Sequence, residues 1–188
     1  TDFNGYKKLA FYIDVEEDEW CEKIDTSEDI VQDIKLSSQE IVERIKDRGI
    51  VGLGGAAFPT HVKYMVPEDK HVDYIIINAA ECEPYLTSDN RLLLEHTEEI
   101  LIGIEIMKKA VKVDKAKIGI ETNKPQAIAA LKALVSKYPG TEVVPLKTKY
   151  PQGAEKQLIY ALTKREVPSG KLPIEVGCIV NNVGTAFA

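Results

Sequence analysis

The sequence predicts an α/β protein with a Rossmann-like, layered and mostly parallel β-sheet. Short β-branched runs alternate along the chain with longer segments of helical periodicity, and such alternation is typical of parallel strands joined by crossover helices. The composition agrees, because 44% of the 188 residues are hydrophobic and 29% are charged, as in an ordinary globular domain. We expect an α/β domain over residues 36–188, preceded by an N-terminal strand and connector over residues 1–35.

Four segments of the α/β domain have the pattern of strands. The first of them, Asp-Tyr-Ile-Ile-Ile-Asn at 73–78, is a β-branched run of the kind found in strands buried on both faces. The predicted strands cover residues 73–78, 117–121, 141–146 and 176–180, with a further one at 9–15 in the N-terminal segment.

Helical segments fill the intervals between these strands. Ser-Ser-Gln-Glu at 37–40 is a capping box and opens a short helix that ends near Gly49. Pro59 is expected at the first position of the next helix, where its missing N–H costs little, and Asn123 is expected to cap a helix that begins Lys124-Pro125. The longer predicted helices cover residues 89–111, 124–135 and 152–163.

The bulk properties exclude several classes of protein and site. A net charge of −6 argues against nonspecific nucleic-acid binding, which needs a basic face. No apolar run approaches the roughly 18–20 residues of a membrane span. The three cysteines are widely separated and none forms a C-x-x-C pair, so we expect a reducing compartment and no metal site. Both ends of the sequence look cut, which suggests a fragment of a larger multidomain protein.

The most informative stretch is a glycine-rich loop within residues 52–63. Gly52, Gly54 and Gly55 fall within four positions, and an aromatic residue, a proline and a lysine follow them. A cluster of glycines marks backbone that takes special dihedral angles or approaches another group closely. The loop by itself is therefore either an ordinary surface loop or a place where a flat, phosphorylated ligand lies against the backbone.

Polar residues follow three of the predicted strands at the point where each strand ends. Residues 78–85, 149–156 and 181–185 contain amides, carboxylates, a tyrosine and glycines. In parallel α/β sheets, ligands bind beyond the carboxyl ends of the strands. We therefore expect these segments and the glycine loop to line one site, which favours the ligand-binding interpretation of the loop.

The amides and carboxylates of these segments are candidate ligand contacts. Asn78, Asn181 and Asn182 suit the uracil-like edge of a flavin, or ribityl and ribose hydroxyls, although each could equally cap a strand end. Glu81 and Glu83 could perform general acid–base chemistry or hold a ribose diol or an amide donor. We favour binding for both.

Phosphate and ring contacts are expected beside them. Gly153 precedes a predicted helix whose free N–H groups can receive a phosphate. Lys63 is either a phosphate partner or a surface lysine, and Phe58 either stacks on an aromatic ring or belongs to the core. No nucleophile–base pair stands out, so we assign no catalytic residue. A site built from backbone, amides and fixed charge suits a redox cofactor, which carries the electron chemistry itself.

At these motifs the sequence resembles the C subunit of the Rnf ion-translocating electron transport complex. The resemblance covers about residues 36–188 and rests on Gly-Leu-Gly-Gly-Ala-Ala-Phe-Pro-Thr-His-Val-Lys at 52–63, on Asn-Ala-Ala-Glu-Cys-Glu-Pro-Tyr-Leu-Thr at 78–87, and on three further segments. Those segments are 150–158, 165–170 and 181–185, and all five motifs are in order. More distantly the chain is similar to the 51-kilodalton flavin-bearing subunit of respiratory complex I and to hydrogenase diaphorase subunits.

The resemblance implies noncovalent FMN, hydride transfer from NADH, and one-electron transfer onward to iron–sulfur clusters. It assigns FMN contacts to Gly52, Gly54, Gly55, Lys63, Asn78, Glu81, Tyr150, Gly153, Asn181, Asn182 and Thr185. It places Phe58, Glu83, Glu155 and Lys156 nearer the nicotinamide nucleotide. Three departures from the wider group are Ala57, where glycine is common, and Ala80 and Ala154, where the complex I relatives carry acidic residues.

The resemblance also implies a larger setting. A full-length protein of this kind has a β-grasp segment and a ferredoxin-like part with two 4Fe–4S clusters, which we expect only in a missing downstream part. The partners would be other subunits of a membrane complex, and the location would be cytoplasmic, peripheral on the inner face of the cell membrane. Two alternatives remain open: a cobalamin-reducing flavoprotein of bacterial microcompartments, and a scaffold domain that has lost its cofactor.

Overall fold

Four parallel strands organise the part of the chain that the computed structural model describes, which is residues 7, 9, 12–15, 24 and 30–188. The sheet has the strand order β3-β2-β1-β4, and all three pairings are parallel. The strands are β1 (Tyr74–Ala79), β2 (Ala116–Glu121), β3 (Thr141–Leu146) and β4 (Cys178–Asn182). The predicted α/β class is confirmed. The bounds of β1, β2 and β3 agree with those predicted for the first three strands of the α/β domain to within one residue.

The N-terminal predictions are only partly covered by the described residues. The described positions 9 and 12–15 carry no helix or strand, so the strand predicted for 9–15 is absent there, while residues 10 and 11 lie outside the described residues. Residues 31–188 form one compact unit. The division of the chain at residues 35 and 36 stays a prediction.

The last strand begins two residues later than predicted. Val176 belongs to a 3₁₀ turn, Pro173–Val176, which Gly177 ends with a left-handed φ of +68°. Glycine takes that conformation without the steric cost of a side chain. Because the strand starts at Cys178, Asn181 and Asn182 lie in its last two positions and not beyond it.

Seven α-helices and two 3₁₀ turns surround the sheet within the described residues. The capping box of the first helix is confirmed, since Ser37 and Glu40 exchange hydrogen bonds of 2.8 and 3.3 Å between side chain and backbone. The helices are α1 (Ser38–Asp47), α2 (Thr60–Tyr64), α3 (Ser88–Glu95), α4 (Thr97–Ala110), α5 (Pro125–Leu134), α6 (Glu155–Thr163) and α7 (Val183–Phe187), and the second 3₁₀ turn is Val135–Lys137.

The single helix predicted over residues 89–111 is wrong, because the chain forms two helices there. His96 has a non-helical backbone, with φ −130° and ψ 40°, and separates α3 from α4. The Nδ1 atom of His96 lies 3.1 Å from the Glu99 carboxylate. The apolar period continues through the break, which is why the sequence pattern did not reveal it.

Three predicted helix starts are also corrected. Pro59 precedes α2 as its cap residue instead of occupying its first turn. Asn123 does not cap α5, since Lys124 is the residue before the helix and no side-chain cap bond forms. The helix predicted from residue 152 begins at Glu155, because residues 150–153 form turns that carry Gly153 toward the end of β1.

Two hydrophobic clusters cover the two faces of the sheet. On one face, Ile75, Ile77, Ile118 and Ile120 pack with the buried side of α4. On the other face, Ile76, Cys178 and Val180 pack with the buried side of α6, whose residues Leu158, Ile159 and Leu162 are fully or almost fully buried. Burial of both faces is what the β-branched strands predict, and it leaves the strand ends as the place where polar groups gather.

Gly103 allows α7 to pack directly on α4. A Cβ atom at this position would overlap the carbonyl oxygen of Ala186 in α7. Because α7 follows β4 without a loop, this contact fixes the direction in which the chain leaves the strand. The position of Asn182 and Thr185 therefore depends on a glycine in a distant helix.

We expect Gly103→Ala to lower the free energy of unfolding by about 2 kcal/mol, because the added methyl group meets fixed backbone. At an exposed glycine in a helix, the same change would instead raise the free energy of unfolding by about 1 kcal/mol. Chemical unfolding followed by far-UV circular dichroism measures the difference. The matched comparison is Gly119→Ala, where the new methyl meets movable leucine side chains at 2.7 to 3.2 Å and should cost about 1 kcal/mol. A stabilising Gly103→Ala would contradict the close packing of α7 on α4.

Candidate functional site

The first feature of the site is the carboxyl edge, which we define as the residues at or just beyond the ends of the four strands. Asn78 near the end of β1 is the register partner of Asn182 at the end of β4. The Nδ2 atom of Asn78 donates to the carbonyl of Gly153 at 2.9 Å, and its Oδ1 atom accepts the N–H of Ala80 at 3.1 Å. One side chain therefore ties the turn before α6 to the end of β1.

Gly153 is held so close to β1 that no larger residue fits. A Cβ atom on Gly153 would lie 2.7 Å from the carbonyl oxygen of Ala80 and 3.4 Å from the Asn78 amide. Glycine permits this approach because it has no side chain. The contact brings the start of α6 to the carboxyl edge.

The glycine loop, residues 52–58, is anchored at the same edge by α7. The N–H of Gly52 donates to the carbonyl of Phe58 at 2.8 Å and closes the loop. The N–H of Leu53 donates to Oγ1 of Thr185 at 3.0 Å, and Thr185 is buried. The predicted site residues Gly52 and Thr185 are thus brought together, with Thr185 holding the loop in place.

The middle of the glycine loop presents open backbone. A Cβ atom on Gly54 would touch only the Cβ of Asn182, at 3.4 Å, and one on Gly55 would meet nothing within 4 Å. In the described part of the chain, the N–H groups of Gly54, Gly55 and Ala56 donate to no acceptor. Free amides and missing side chains together form a surface that a flat, anionic ligand can contact.

Ala57 occupies a strained backbone position in this loop. Its φ is 49°, in the left-handed region, which costs an L-residue with a side chain roughly 1–2 kcal/mol. Glycine would take the same φ at no such cost. The loop therefore keeps a glycine-like conformation here although the residue is alanine.

Asn182 connects β4 to two helices. Its Nδ2 atom donates to the Asp89 carboxylate at 2.6 Å, and its Oδ1 atom accepts the N–H of Gly184 at 2.7 Å, which caps α7. Burial raises the pKa of Asp89, the Asn182 amide opposes that rise, and the neighbouring Glu81 adds to it. Asn182 therefore satisfies a free backbone group, which is the alternative to ligand contact that the sequence left open, and it also lies next to Gly54.

Glu81 caps the N-terminus of α3 in this structure. Its carboxylate oxygens accept the N–H groups of Asp89 at 2.9 Å and Asn90 at 3.0 Å, and Lys124 Nζ lies 3.5 Å away. A carboxylate at this position satisfies free amides and interacts favourably with the helix dipole. The sequence analysis placed a helix start at residue 89 but did not identify this structural role, because no local pattern shows that Glu81 turns back to that start.

A cavity of about 440 Å³, which we call the Lys63 cavity, lies between the glycine loop, α6 and β4. Phe58, Lys63 and Glu155 line it, and Phe58 is 45% exposed. The Nζ atom of Lys63 donates to the carbonyl of Val180 at 2.7 Å. Burial lowers the pKa of Lys63, and Glu155 opposes that effect.

A second cavity, of about 320 Å³, lies on the other side of the edge; we call it the Glu121 cavity. The predicted residues Glu81, Glu83 and Tyr150 line it, and Tyr150 is largely exposed. Glu121 at the end of β2 also lines it. The sequence analysis treated Glu121 only as the end of a strand, although a charged residue directly after the apolar run Ile-Gly-Ile at 118–120 is a recognisable signal.

Two predicted residues lie apart from these contacts. Lys156 lines neither cavity, and its exposed ammonium donates to the carbonyl of Pro168 at 3.0 Å. Asn181 is buried near Tyr64 of α2, and its Nδ2 atom has no hydrogen-bond partner among the described residues. Burial raises the pKa of Tyr64, and the Asn181 side chain opposes that effect.

Buried polar atoms without partners recur near the carboxyl edge. Within the described residues they include Nδ2 of Asn181, Oε1 of Gln152 and both carboxylate oxygens of Glu121. Unpaired polar atoms are costly when buried, so a polar ligand at this edge could form hydrogen bonds with these atoms.

Within the described residues there is no group of three or more potential metal-ligating side chains, and none of the helices there has the length and apolar character to span a bilayer.

Comparisons with known proteins point to one family. Residues 45–188 match the family model described as the Nuo51 FMN-binding domain. The chain is 53% identical over 173 residues to the C subunit of the proton-translocating ferredoxin:NAD(+) oxidoreductase complex of Clostridium ljungdahlii. It is 52% identical over 151 residues to the C subunit of the Na(+)-translocating ferredoxin:NAD(+) oxidoreductase complex of Acetobacterium woodii. These alignments cover 91% and 80% of the chain, but only 36% and 34% of the relatives.

Similarity to solved structures agrees with the family match. An NAD⁺-reducing [NiFe]-hydrogenase in its air-oxidized state superimposes with a TM-score of 0.67 at 28% identity, over 80% of this chain and 29% of that one. The chain thus spans about a third of the length of the relatives it matches. The chain belongs to the Nuo51 FMN-binding domain family, and the resemblance to C subunits of Rnf-type ion-translocating oxidoreductase complexes is confirmed.

Proposed function

We propose that this chain binds FMN noncovalently along the carboxyl edge and presents it to NADH for hydride transfer. The observation that carries this proposal is the open backbone of the glycine loop, which Thr185 holds beside Asn182. The Asn78–Gly153 contact brings the start of α6 to the same edge. A flat ring with a phosphorylated side chain matches both the open surface and the free amides.

The family resemblance and these contacts together define the proposed FMN shell. Thr185 supports the loop, Asn78 holds Gly153, and Asn181 offers an unpaired amide. Lys63 contributes positive charge from the Lys63 cavity. The full proposed shell is Gly52, Gly54, Gly55, Lys63, Asn78, Glu81, Tyr150, Gly153, Asn181, Asn182 and Thr185.

Two sets of amides are suited to the phosphate. In the described part of the chain, the N–H groups of Gly54, Gly55 and Ala56 in the glycine loop are free. The N-terminus of α6 has no side-chain cap, so the amides of its first turn are also free of protein partners there. Helix N-termini attract anions through these amides and through the positive end of the helix dipole.

The nicotinamide nucleotide is proposed to lie against the outer side of this shell. Phe58 and Glu155 line the Lys63 cavity, and Glu83 is at the rim of the Glu121 cavity. Lys156 is on the exposed side of α6. An exposed aromatic ring can stack on a nucleotide base, and the charged residues can orient ribose and phosphate groups.

When bound, FMN supplies the chemistry that links two-electron donors to one-electron acceptors. The protein's residues bind and orient it, and none is assigned as a catalytic acid or base. We propose that electrons continue to iron–sulfur clusters in a downstream part of a longer protein. The partners would be other subunits of a membrane complex, with this domain, residues 36–188, on the cytoplasmic side and peripheral to the membrane.

FMN binding is the first test. We expect added FMN to lose fluorescence on binding, with a dissociation constant in the micromolar range or tighter, and we expect anaerobic NADH to bleach the visible absorbance of the bound flavin. Absence of FMN binding would refute the proposal and favour a scaffold domain without cofactor. FMN binding without bleaching by NADH would remove NADH as the donor and leave a flavin carrier.

Gly54→Val tests the position of FMN. The isopropyl group would fill the surface that the flavin needs, so FMN affinity should fall by at least about tenfold. The fold should persist, because the nearest atom to a Cβ at this position is 3.4 Å away. Fluorescence titration measures affinity, and thermal unfolding checks the fold. Ala129→Val, which places the same side chain on the exposed side of α5, is the control and should leave affinity unchanged. Equal affinity for Gly54→Val would show that the flavin lies elsewhere.

A further inference from the structure

Glu121 is a buried carboxylate whose oxygens lack hydrogen-bond partners. The residue is 1% exposed, and neither carboxylate oxygen has a hydrogen-bond partner among the described residues. It ends β2, so it lies at the carboxyl edge where ligands bind in parallel sheets. An unpaired buried carboxylate is costly to the fold, which suggests that something other than stability explains its position.

The charged groups around Glu121 leave an excess of negative charge. Glu81 and Lys124 lie 3.5 Å apart and largely neutralise each other. Burial raises the pKa of Glu121. The charge of Lys124 and the backbone amide of Lys149, which is near the carboxylate but outside hydrogen-bond geometry, oppose that rise, and Glu81 adds to it. Glu83, Lys149 and Tyr150 also line the cavity, so that three carboxylates there face two lysines. Glu121 is therefore a buried negative charge that a cationic ligand could neutralise.

The cavity has room for a ring. Its volume of about 320 Å³ is at the lower end of the range for small-molecule sites, which begin at about 300 Å³. It lies between the segment after β1, the start of α5 and the segment after β3. The absence of a group of three or more metal-ligating side chains in the described residues makes a metal ion a poor match. A single organic cation of ring size fits both the shape and the charge.

We infer that Glu121 makes the site prefer the oxidised, positively charged form of the nicotinamide ring over its neutral reduced form. This inference rests on the proposed function. The oxidised ring is a pyridinium carrying one positive charge, and the reduced dihydropyridine carries none. A carboxylate held in a poorly solvated cavity attracts the pyridinium and gains nothing comparable from the neutral ring.

The preference has a functional consequence. A site that holds NAD⁺ more tightly than NADH makes bound NADH a stronger hydride donor, because hydride transfer to FMN produces the form of the ring that Glu121 stabilises. The preference therefore agrees with the proposed direction of transfer, from NADH to FMN. Glu121 would act here as a specificity-determining residue and not as an acid or base.

The preference should depend on pH. The ionised carboxylate binds the pyridinium better than the neutral acid does, so NAD⁺ affinity should rise as the pH rises through the pKa of Glu121. NADH affinity should show no matching rise. The Glu81–Lys124 pair and Glu83 remain in a Glu121→Gln variant, so a pH dependence that disappears in this variant is assigned to Glu121.

The test compares the unmodified chain with Glu121→Gln. NAD⁺ binding is measured with oxidised FMN bound and NADH binding with reduced FMN bound, so that neither dinucleotide exchanges a hydride with the flavin. We expect the variant to bind NAD⁺ about 3- to 10-fold more weakly, with NADH affinity unchanged and the pH dependence lost. Competition by 1-methylnicotinamide, a cation, and by neutral nicotinamide gives the same comparison without the rest of the dinucleotide. The control is Glu142→Gln, which removes a carboxylate exposed on β3 and should change neither affinity.

Folding of the variant is checked separately. Because the folded-state pKa of Glu121 is raised, its ionisation destabilises the fold, and this penalty is absent at low pH and grows as the pH rises through that pKa. Glu121→Gln should therefore be at least as stable as the unmodified chain at neutral pH, and the difference should close in acid. Thermal unfolding at several pH values measures this.

The outcomes separate the inference from the proposed function. Failure of the unmodified chain to bind either dinucleotide overturns the proposed donor and this inference together. Binding of both, with the same NAD⁺-to-NADH affinity ratio in Glu121→Gln, overturns only the inference. A lower NAD⁺ affinity in the folded variant, with NADH unchanged, supports it.

Discussion

The hydrogen bonds of the Asn78 side chain are the interaction on which the carboxyl edge depends. One amide group donates to Gly153 and accepts from Ala80, so the turn before α6 is held against the end of β1. Because Gly153 allows backbone-to-backbone contact with Ala80, the free N-terminus of α6 reaches the same edge as the glycine loop. Without this link the two sets of free amides would belong to separate surfaces.

The β4 side of the edge is organised by a different kind of contact. Asn182 caps α7 and bonds to Asp89, while Thr185 in α7 holds the N–H of Leu53. The glycine loop is therefore positioned by a helix that itself packs on α4 through Gly103. The position of the glycine loop at the edge thus depends on helix packing in the core of the domain.

Negative charge at the edge is balanced unevenly. Glu81 is compensated by the amides of α3 and by Lys124, and Asp89 by the Asn182 amide. The carboxylate oxygens of Glu121 have no hydrogen-bond partner within the described residues. A ligand whose charge differs between its oxidised and reduced forms would therefore bind at this edge with a different affinity in each form.

The sequence was sufficient for the sheet and for the meeting of the polar segments at its carboxyl edge, for physical reasons that can be named. Apolar β-branched runs have few alternatives to buried strands, and residues just past parallel strands must meet at one edge. The break at His96 escaped prediction because the apolar period continues through it. The cap that Glu81 forms on α3 escaped prediction because it depends on the turn that brings Glu81 back to the start of that helix. The isolation of Glu121 escaped because it depends on which side chains the fold places around the end of β2.

Amide hydrogen exchange with and without FMN tests the central claim most directly, because the claim concerns particular backbone groups. If FMN lies across the carboxyl edge, it should slow exchange at the free N–H groups of Gly54, Gly55 and Ala56 and in the first turn of α6, by about tenfold or more at saturation. Unchanged exchange in both segments while FMN is bound, with protection confined to another surface, would contradict the account.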